Sequence, residues 1–354
     1  MTRTETALSP LIRNAEATLV EHVVEGVQVP VIIPDLDPTL PPAERCWTTC
    51  LESAVVGFVM DEWRAKRRPT GLAAVLGNAA AGVLSCGPWQ RAVQVGSLPF
   101  STTLRSEEDE RAMWRLLPEL REEMPERPFA IRHVLPDEVP AEWRAETVLL
   151  PARVVYLQDF TDGQAPPSKD YRRDLKRLNV SGLVHLTDPD FDNGRVNEVI
   201  GLYRQLYRDR YTIRHPDYTP GMIELARQRG WLSLGGLADP ANGRLLGFFG
   251  IHAGGRVMTT PILGHDTTLP QKAALYRQLS AMATEHAMRE RMWENASSGA
   301  GDFKRRRNFK PVLEYLLVLP PLAGRRRFSD RAILKACGKM TKRVTMEDFI
   351  AAGG

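Results

Sequence analysis

Three runs decide the fold: GWLSLGGLAD (230–239), GRLLGFFGIHAGG (243–255) and RVMTTPILGHD (256–266). Each is a short strand-like stretch, and turn chemistry separates them, Pro240, Asn242 and Gly243 in one place and Gly254 and Gly255 in the other. The pattern predicts an antiparallel meander. Directly after it, PQKAALYRQLSAMATEHAMRER (270–291) carries apolar residues at helical spacing, with Pro270 suited to a first turn. A glycine-containing loop, SSGAGDFKRRRNFK (297–310), and a strand, VLEYLLVL (312–319), complete this unit.

Upstream, SKDYRRDLKRLNVSG (168–182) reads as a strongly basic helix stopped near Gly182, followed by a strand (LVHLTD, 183–188) and a helix (NEVIGLYRQLYRDRY, 197–211). The Gly/Pro-rich TDGQAPPS (161–168) is a linker, and a unit of similar grammar precedes it. There, residues 46–68 have helical spacing, and AGVLSCG (81–87) with RAVQVGSLPF (91–100) suggests a hairpin. SEEDERAMWRLLPELREEM (106–124) opens with a Ser106 cap and acids in its first turn, and Pro118 inside it is a place for a kink. FAIRHVL (129–135) and ETVLLPARVVYL (146–157) are further strands. Residues 1–45, ending in the Pro-rich PDLDPTLPPAE, read as an irregular arm. The expected organisation is therefore an arm (1–45), a small α/β unit (46–158), a second unit (159–322) and a basic helical tail (323–354).

The chain has 354 residues, 43% of them hydrophobic and 25% charged, enough for a sizeable core and about two domains. Four cysteines (Cys46, Cys50, Cys86, Cys337) form neither a disulfide framework nor zinc knuckles, and the seven histidines are scattered singly, so no metal is expected. The start lacks an apolar run of signal-peptide length and no run of about 18 apolar residues occurs, which points to a cytoplasmic protein without a membrane span. Charge is uneven. Between Phe303 and Arg343 there are 13 basic residues against the acids Glu314 and Asp330, leaving the rest of a +4 chain at −7. Such a window suits a surface that meets phosphates, although an exposed amphipathic helix has the same composition.

The ordered set of meander, long helix, SSGAGDFKRRRNF and a strand bearing Glu314 and Tyr315, with DYRRDLKRL as its entry helix, resembles the C-terminal module of FemABX-like proteins, double acyltransferase domains of the GNAT superfamily. The resemblance covers about residues 150–320, with residues 46–150 as a degenerate first copy. It implies an α/β (α+β) fold of two tandem GNAT-like domains, each with a mixed, mostly antiparallel sheet flanked by helices and splayed between two central strands. It also implies transfer of an acyl or aminoacyl group to an amine. Acyl-CoA members carry a glycine-rich loop for the pyrophosphate. Here Gln271 is followed by Lys272, Ala273 and Ala274, so aminoacyl-tRNA is the preferred donor. Acyl-CoA is the alternative, and a non-catalytic GNAT-like binding module the third reading. No bound cofactor is expected beyond the co-substrate; the partners would be charged tRNA and a small amine acceptor.

Aminolysis needs a neutral amine, relief of a tetrahedral oxyanion and a proton for a poor leaving group. Lys304, beside Gly299 and Gly301, is the first candidate for the donor's phosphates or the oxyanion, with Arg305, Arg306 and Arg307 following it. The same run also suits an exposed soluble turn. Asp302 and Glu314 can accept a proton if burial raises either one, and acids beside arginines commonly just pair with them. His252 and His265 are alternative bases, and Tyr276 can supply a proton to a leaving group or sit in the core. Arg172, Arg173, Lys176 and Arg177 extend the basic face, and Phe303, Phe309 and Phe328 are the aromatics available for base stacking. Hydrolase elbow, zincin, P-loop and dinucleotide motifs are absent from the sequence.

Overall fold

A computed structural model describes residues 2–58, 61, 88–166, 168–323, 332–334 and 349. The expected strand 81–87, the end of the expected helix 46–68 apart from Asp61, and all but five residues of the basic tail 323–354 lie outside them. In the first half, β1 (Arg3–Ala7), β2 (Ala17–Val24) and β3 (Val27–Pro34) form an antiparallel meander that continues into β4 (Val93–Val95). A helix, α1 (Glu107–Glu123), then crosses over to β5 (Phe129–Val134), which runs parallel to β4. Ser106 caps α1 through Asp109 in a reciprocal box, and Pro118 sits inside without ending it. The second half repeats this scheme. Its meander is β7 (Val184–Leu186), β8 (Ser233–Ala238), β9 (Leu245–Gly254) and β10 (Val257–His265). The crossover helix is α5 (Leu275–Arg289), after α2 (Lys169–Val180), α3 (Asn193–Tyr203) and α4 (Pro220–Gln228), and it leads to β11 (Trp293–Asn295), parallel to β10.

The first 45 residues therefore correct the sequence reading. Three strands lie within the expected arm, because ATLVEHVV and VQVPVIIP alternate well enough to bury Leu19, Val29, Val31 and Ile32. Pro34 ends β3, Pro30 sits within it opposite Glu21 of β2, and the irregular parts are the turns 8–16 and the stretch after Pro34. Short β11 was not expected, and the loop 297–310 contains a one-turn helix, α6 (Gly301–Arg305). Nor does Pro270 open the long helix: a tight turn at Gln271–Ala273 and a left-handed Ala274 intervene before α5 begins.

With β6 (Val148–Asp159) and β12 (Lys310–Leu319), the described strands make one sheet of twelve, in the order β1-β2-β3-β4-β5-β12-β6-β11-β10-β9-β8-β7, mostly antiparallel and flanked by helices, as the fold class required. Its middle is an exchange. β6 follows β5 in the chain yet pairs with β11, while β12 follows β11 yet pairs with β5. The two exchanged strands pair with each other over the longest ladder in the molecule, Lys310↔Leu157 to Val318↔Val148. Each half is thus completed by the other's last strand. Apolar side chains fill both faces: Leu116, Leu117 and Leu120 of α1 cover Val31, Val95 and Ile131 on one side of the first half, and Leu279 of α5 covers Phe249 and Leu263 in the second.

A segment of the first half, residues 96–106, lies along the second half's sheet. Ser101 Oγ donates to the Pro261 carbonyl of β10 at 2.7 Å, and Gly254 of β9 meets the backbone of Leu104 and Arg105. A Cβ on Gly254 would stand 2.6 Å from that backbone, which has no flexible side chain to move aside. Gly254→Ala is expected to cost about 1–3 kcal/mol in urea unfolding. Gly201→Ala, in α3 with open space around it, is expected to gain about 0.5–1 kcal/mol in the same measurement.

Candidate functional site

Where β5, β12 and β6 lie side by side, the ladder is interrupted twice. Val134 pairs with Tyr315 and Ile131 with Leu317, so Arg132 and His133 together oppose one residue of β12. On the other side, Arg153 pairs with Glu314 and Pro151 with Tyr315, leaving Ala152 extra in β6. These two bulges re-aim their strands toward the same point. His133, at the bulge, takes a left-handed φ of 60°, uncommon for any residue but glycine. Arg105 holds it: the guanidinium donates to the carbonyls of Arg132 (3.0 Å) and His133 (3.1 Å).

Glu314 occupies the focus. Its Oε2 accepts from Arg153 Nε at 2.6 Å and lies 3.0 Å from His133 Nδ1. Arg153 Nη2 donates to Thr102 Oγ1 (2.8 Å), and Nη1 reaches Ser297 Oγ at 3.4 Å. Arg132, also buried, donates to the carbonyls of Thr48, Phe100 and Ser101, so three arginines from separate segments surround one carboxylate. Burial acts to raise the Glu314 carboxyl, but Arg153, with the hydrogen bond from His133, outweighs it and holds it well below the usual range. Glu314 is therefore an anchored anion, contrary to the expectation of a base with a raised pKa. Burial, aided by Arg132 and Arg153, pushes the His133 imidazolium down against the pull of Glu314. A neutral His133 is the outcome. Since an ionised carboxylate only accepts, the proton belongs on Nδ1, and Nε2 is left buried without a hydrogen-bond partner.

The opposite face of the sheet carries a second cluster. Residues 153 and 156 of β6 point to opposite sides, and Lys304 Nζ lies 5.4 Å from the centre of the Tyr156 ring. Nζ donates to the carbonyls of Ser297 (3.0 Å) and Ser298 (2.9 Å), closing a turn in which Ser297, Gly299 and Ala300 all have positive φ. Lys304 is thus buried and committed to backbone, not displayed to phosphates as expected. Burial first and Arg153 second push its ammonium down to about 7, against Glu294. Glu294 of β11, also buried, accepts from Thr284 Oγ1 at 2.8 Å, and burial lifts it to about 7. Ser297 joins the two faces, its carbonyl on Lys304 and its hydroxyl near Arg153 and Thr102.

The other expected residues disperse. Asp302 is exposed and paired with Arg305, which also donates to the Tyr156 hydroxyl at 3.3 Å. Arg307 is buried in an ion pair with Asp174 of α2, and only Arg306 of that run is exposed. Gly301 makes room for the Tyr156 hydroxyl, while Gly299 faces open space. Gln271 and Lys272 are exposed in the turn before α5. His252 is buried with its two ring nitrogens on the carbonyls of Trp231 (2.9 Å) and Leu104 (3.2 Å), so it ties the halves together. His265 and Tyr276 are neighbours, ring centres 6.5 Å apart, and Tyr276 packs on Phe303, away from Glu314. Sequence reasoning missed His133, Arg153, Arg105, Arg132 and Glu294. The available signal was a charged residue at a buried position of an apolar strand, in FAIRHV and VLLPARVVYLQD. Among the described residues no group of three or more side chains has the makings of a metal site, and no helix is long and apolar enough to cross a membrane.

No family model matches this sequence, and no curated protein does. Solved structures do. FemX superposes on 85% of this chain and 87% of its own, with a TM-score of 0.50 and 8% identity. L-PGS from Bacillus licheniformis matches over 70% of this chain and 83% of its own (TM-score 0.48, 10% identity). A tandem GNAT protein from the clavulanic acid biosynthesis pathway matches over 67% and 76% (TM-score 0.38, 15% identity). At 8% identity the likeness to FemX shows the fold alone, and the mixed, mostly antiparallel sheet flanked by helices is the class expected from the sequence.

The buried Lys304 and Glu294 have opposite linkages to pH. Between about pH 7 and 10.5 the unfolded chain holds more proton at Lys304 than the folded one, so this group makes stability rise with pH. Between about pH 4.5 and 7 the folded protein holds the extra proton at Glu294, so stability falls as pH rises. Urea unfolding across pH is expected to lose the rising contribution in Lys304→Met and the falling one in Glu294→Gln. Parallel curves for variant and wild type would refute both assignments.

Proposed function

We propose that this protein is an N-acyltransferase that moves an aminoacyl group from aminoacyl-tRNA to the amine of a small-molecule or precursor acceptor. The observation that carries the reading is the parting of the parallel strands. β10 and β11 pair only from Val257↔Trp293 to Thr259↔Asn295; β10 then runs on to His265, while the chain leaves β11 into the strained turn at Ser297. Polar residues of the segment 96–106 stand at this parting, Ser101 on the Pro261 carbonyl and Thr102 beside Ser297. In a GNAT-like fold such a gap suits an acyl group held between strand edges, with fixed donors around the carbonyl that must bear negative charge. The amine nitrogen forms a bond to the acyl carbon, the bond to the donor oxygen breaks, and the amine's proton ends on that oxygen.

Charge supports tRNA as the donor. Ser168, the cap of α2, donates to the Arg306 carbonyl at 2.5 Å, which sets the basic helix against the turn that follows β11. Lys169, Arg172, Arg173 and Lys176 of α2 are exposed there with Arg306, Arg173 beside Asp170, and an exposed basic strip suits phosphates. The acyl-CoA alternative draws on the N-terminus of α5, which begins at left-handed Ala274 with no side-chain cap and so leaves backbone N–H groups free for an anion.

Binding and transfer with mixed charged tRNA and with acetyl-CoA, each at about 50 and 200 mM salt, separate these donors. Tight tRNA binding is expected, with affinity falling steeply with salt. The double variant Arg172→Glu/Arg173→Glu should flatten the log–log slope by about one for each phosphate no longer neutralised. Acetyl-CoA binding with a shallow salt response and no tRNA affinity would overturn the aminoacyl-tRNA reading.

A further inference from the structure

We propose that His133 is the proton acceptor of the central site, receiving the acceptor amine's proton at Nε2 while Glu314 fixes the ring from the Nδ1 side. This rests on the transferase reading above and names the group that moves the proton.

Four observations converge on the imidazole. Its side chain is only 6% exposed, yet Nε2 has no hydrogen-bond partner, and a buried polar atom left unpaired costs free energy that folding alone gives no reason to spend. Its backbone is held at φ 60° at a bulge, with Arg105 on its carbonyl. The other ring nitrogen is fixed by an anchored carboxylate at 3.0 Å, the arrangement that selects one tautomer and steadies an imidazolium once formed. Finally, the cluster meets solvent through Arg153, whose side chain is 19% exposed and whose Nη2 is 3.1 Å from Nδ1. With Nδ1 protonated, that last approach brings two donors together, and Nη2 directs its hydrogen bond to Thr102 instead. The opposite tautomer would set a bare Nδ1 lone pair against the Glu314 carboxylate.

The charged groups facing the ring come from every neighbouring element: Glu314 from β12, Arg153 from β6, Arg132 from β5 and Arg105 from the segment before α1. Burial first, then Arg132 and Arg153 against Glu314, keeps the imidazole neutral and weakly basic, while Arg105 is offset by Glu110 and Glu138. Weak basicity suffices, because an amine that has added to a carbonyl becomes far more acidic than a free ammonium. In the step itself the amine nitrogen bonds to the acyl carbon and its proton passes to Nε2. The carbon–oxygen bond to the donor then breaks, and the imidazolium returns the proton to the departing oxygen. The ring ends neutral, ready for another turnover.

Two readouts test this in the full chain. In the first, ring-nitrogen NMR of 15N-histidine protein, with the His133 signals assigned by their absence in His133→Asn, is expected to show Nδ1 protonated and Nε2 bare at pH 7. Glu314→Gln should abolish that preference. Asparagine tolerates the left-handed backbone, so the variant keeps the bulge. An Nε2-protonated ring or an imidazolium at pH 7 would overturn the proposal whether or not any donor is active. In the second, with the donor that the wild type uses, His133→Asn should lower kcat by about 10²–10⁴-fold at little change in donor KM, the deficit narrowing as pH rises. A folded His133→Asn protein within about twofold of wild-type kcat would also overturn it, leaving the transferase reading intact. A wild type inactive with both donors would instead sink that reading, and the ring's tautomer then decides on its own whether His133 is poised as described.

Discussion

Glu314 and Arg153 face each other across β12 and β6, and these are the strands that the two halves exchange. A buried carboxylate and a partly exposed guanidinium gain little over an apolar pair of equal size, but removing Arg153 would leave the Glu314 carboxylate buried and uncompensated, a loss of up to about 3–5 kcal/mol. The pair therefore acts mainly on specificity. It fixes the register of the longest ladder in the sheet at the point where both flanking strands carry an extra residue, and a slip by one would turn Glu314 to the opposite face. Neither half could fold to its observed sheet without the other's last strand.

The same constraint explains where strain collects. His133 and Ser297 are non-glycine residues with positive φ, and each stands beside the exchanged pair, one in β5 and the other just past β11. Both are held from several directions. Arg105 takes the His133 carbonyl, and Lys304 takes the Ser297 carbonyl from the far side of the sheet. Through Ser297, the polar cluster around Glu314 and the buried Lys304–Glu294 cluster share one residue, so charge on one face is felt on the other: Arg153 helps to depress Lys304. Such shared, over-determined geometry is what a site needs to keep its groups in place.

Long periodic elements were legible in advance. The meander 230–266, the capped helix at 107, the basic helix 169–180 and the strand with Glu314 follow from local spacing and end signals, and the structure has all of them. The site was legible only in part. Glu314 and Lys304 were singled out, but for the wrong environments, one as a raised carboxyl and the other as an exposed cation. A linear reading surrounds each with residues nearby in the chain, whereas Glu314's partners are 161 and 181 positions away. Charge runs misled for the same reason, since Arg307 lies inside against Asp174 while Arg306, one position earlier, faces water.

Local sequence dictates the kinds of element, their order and the repetition of one scheme in two halves, because hydrophobic period, caps and turn residues act over a few positions. Three-dimensional pairing alone makes β6 and β12 trade places, brings strands from the first 34 residues into the common sheet, and sets His133 against Glu314. Strand exchange and bulges are settled between distant segments. Their free energy resides in interactions that no local window of residues contains.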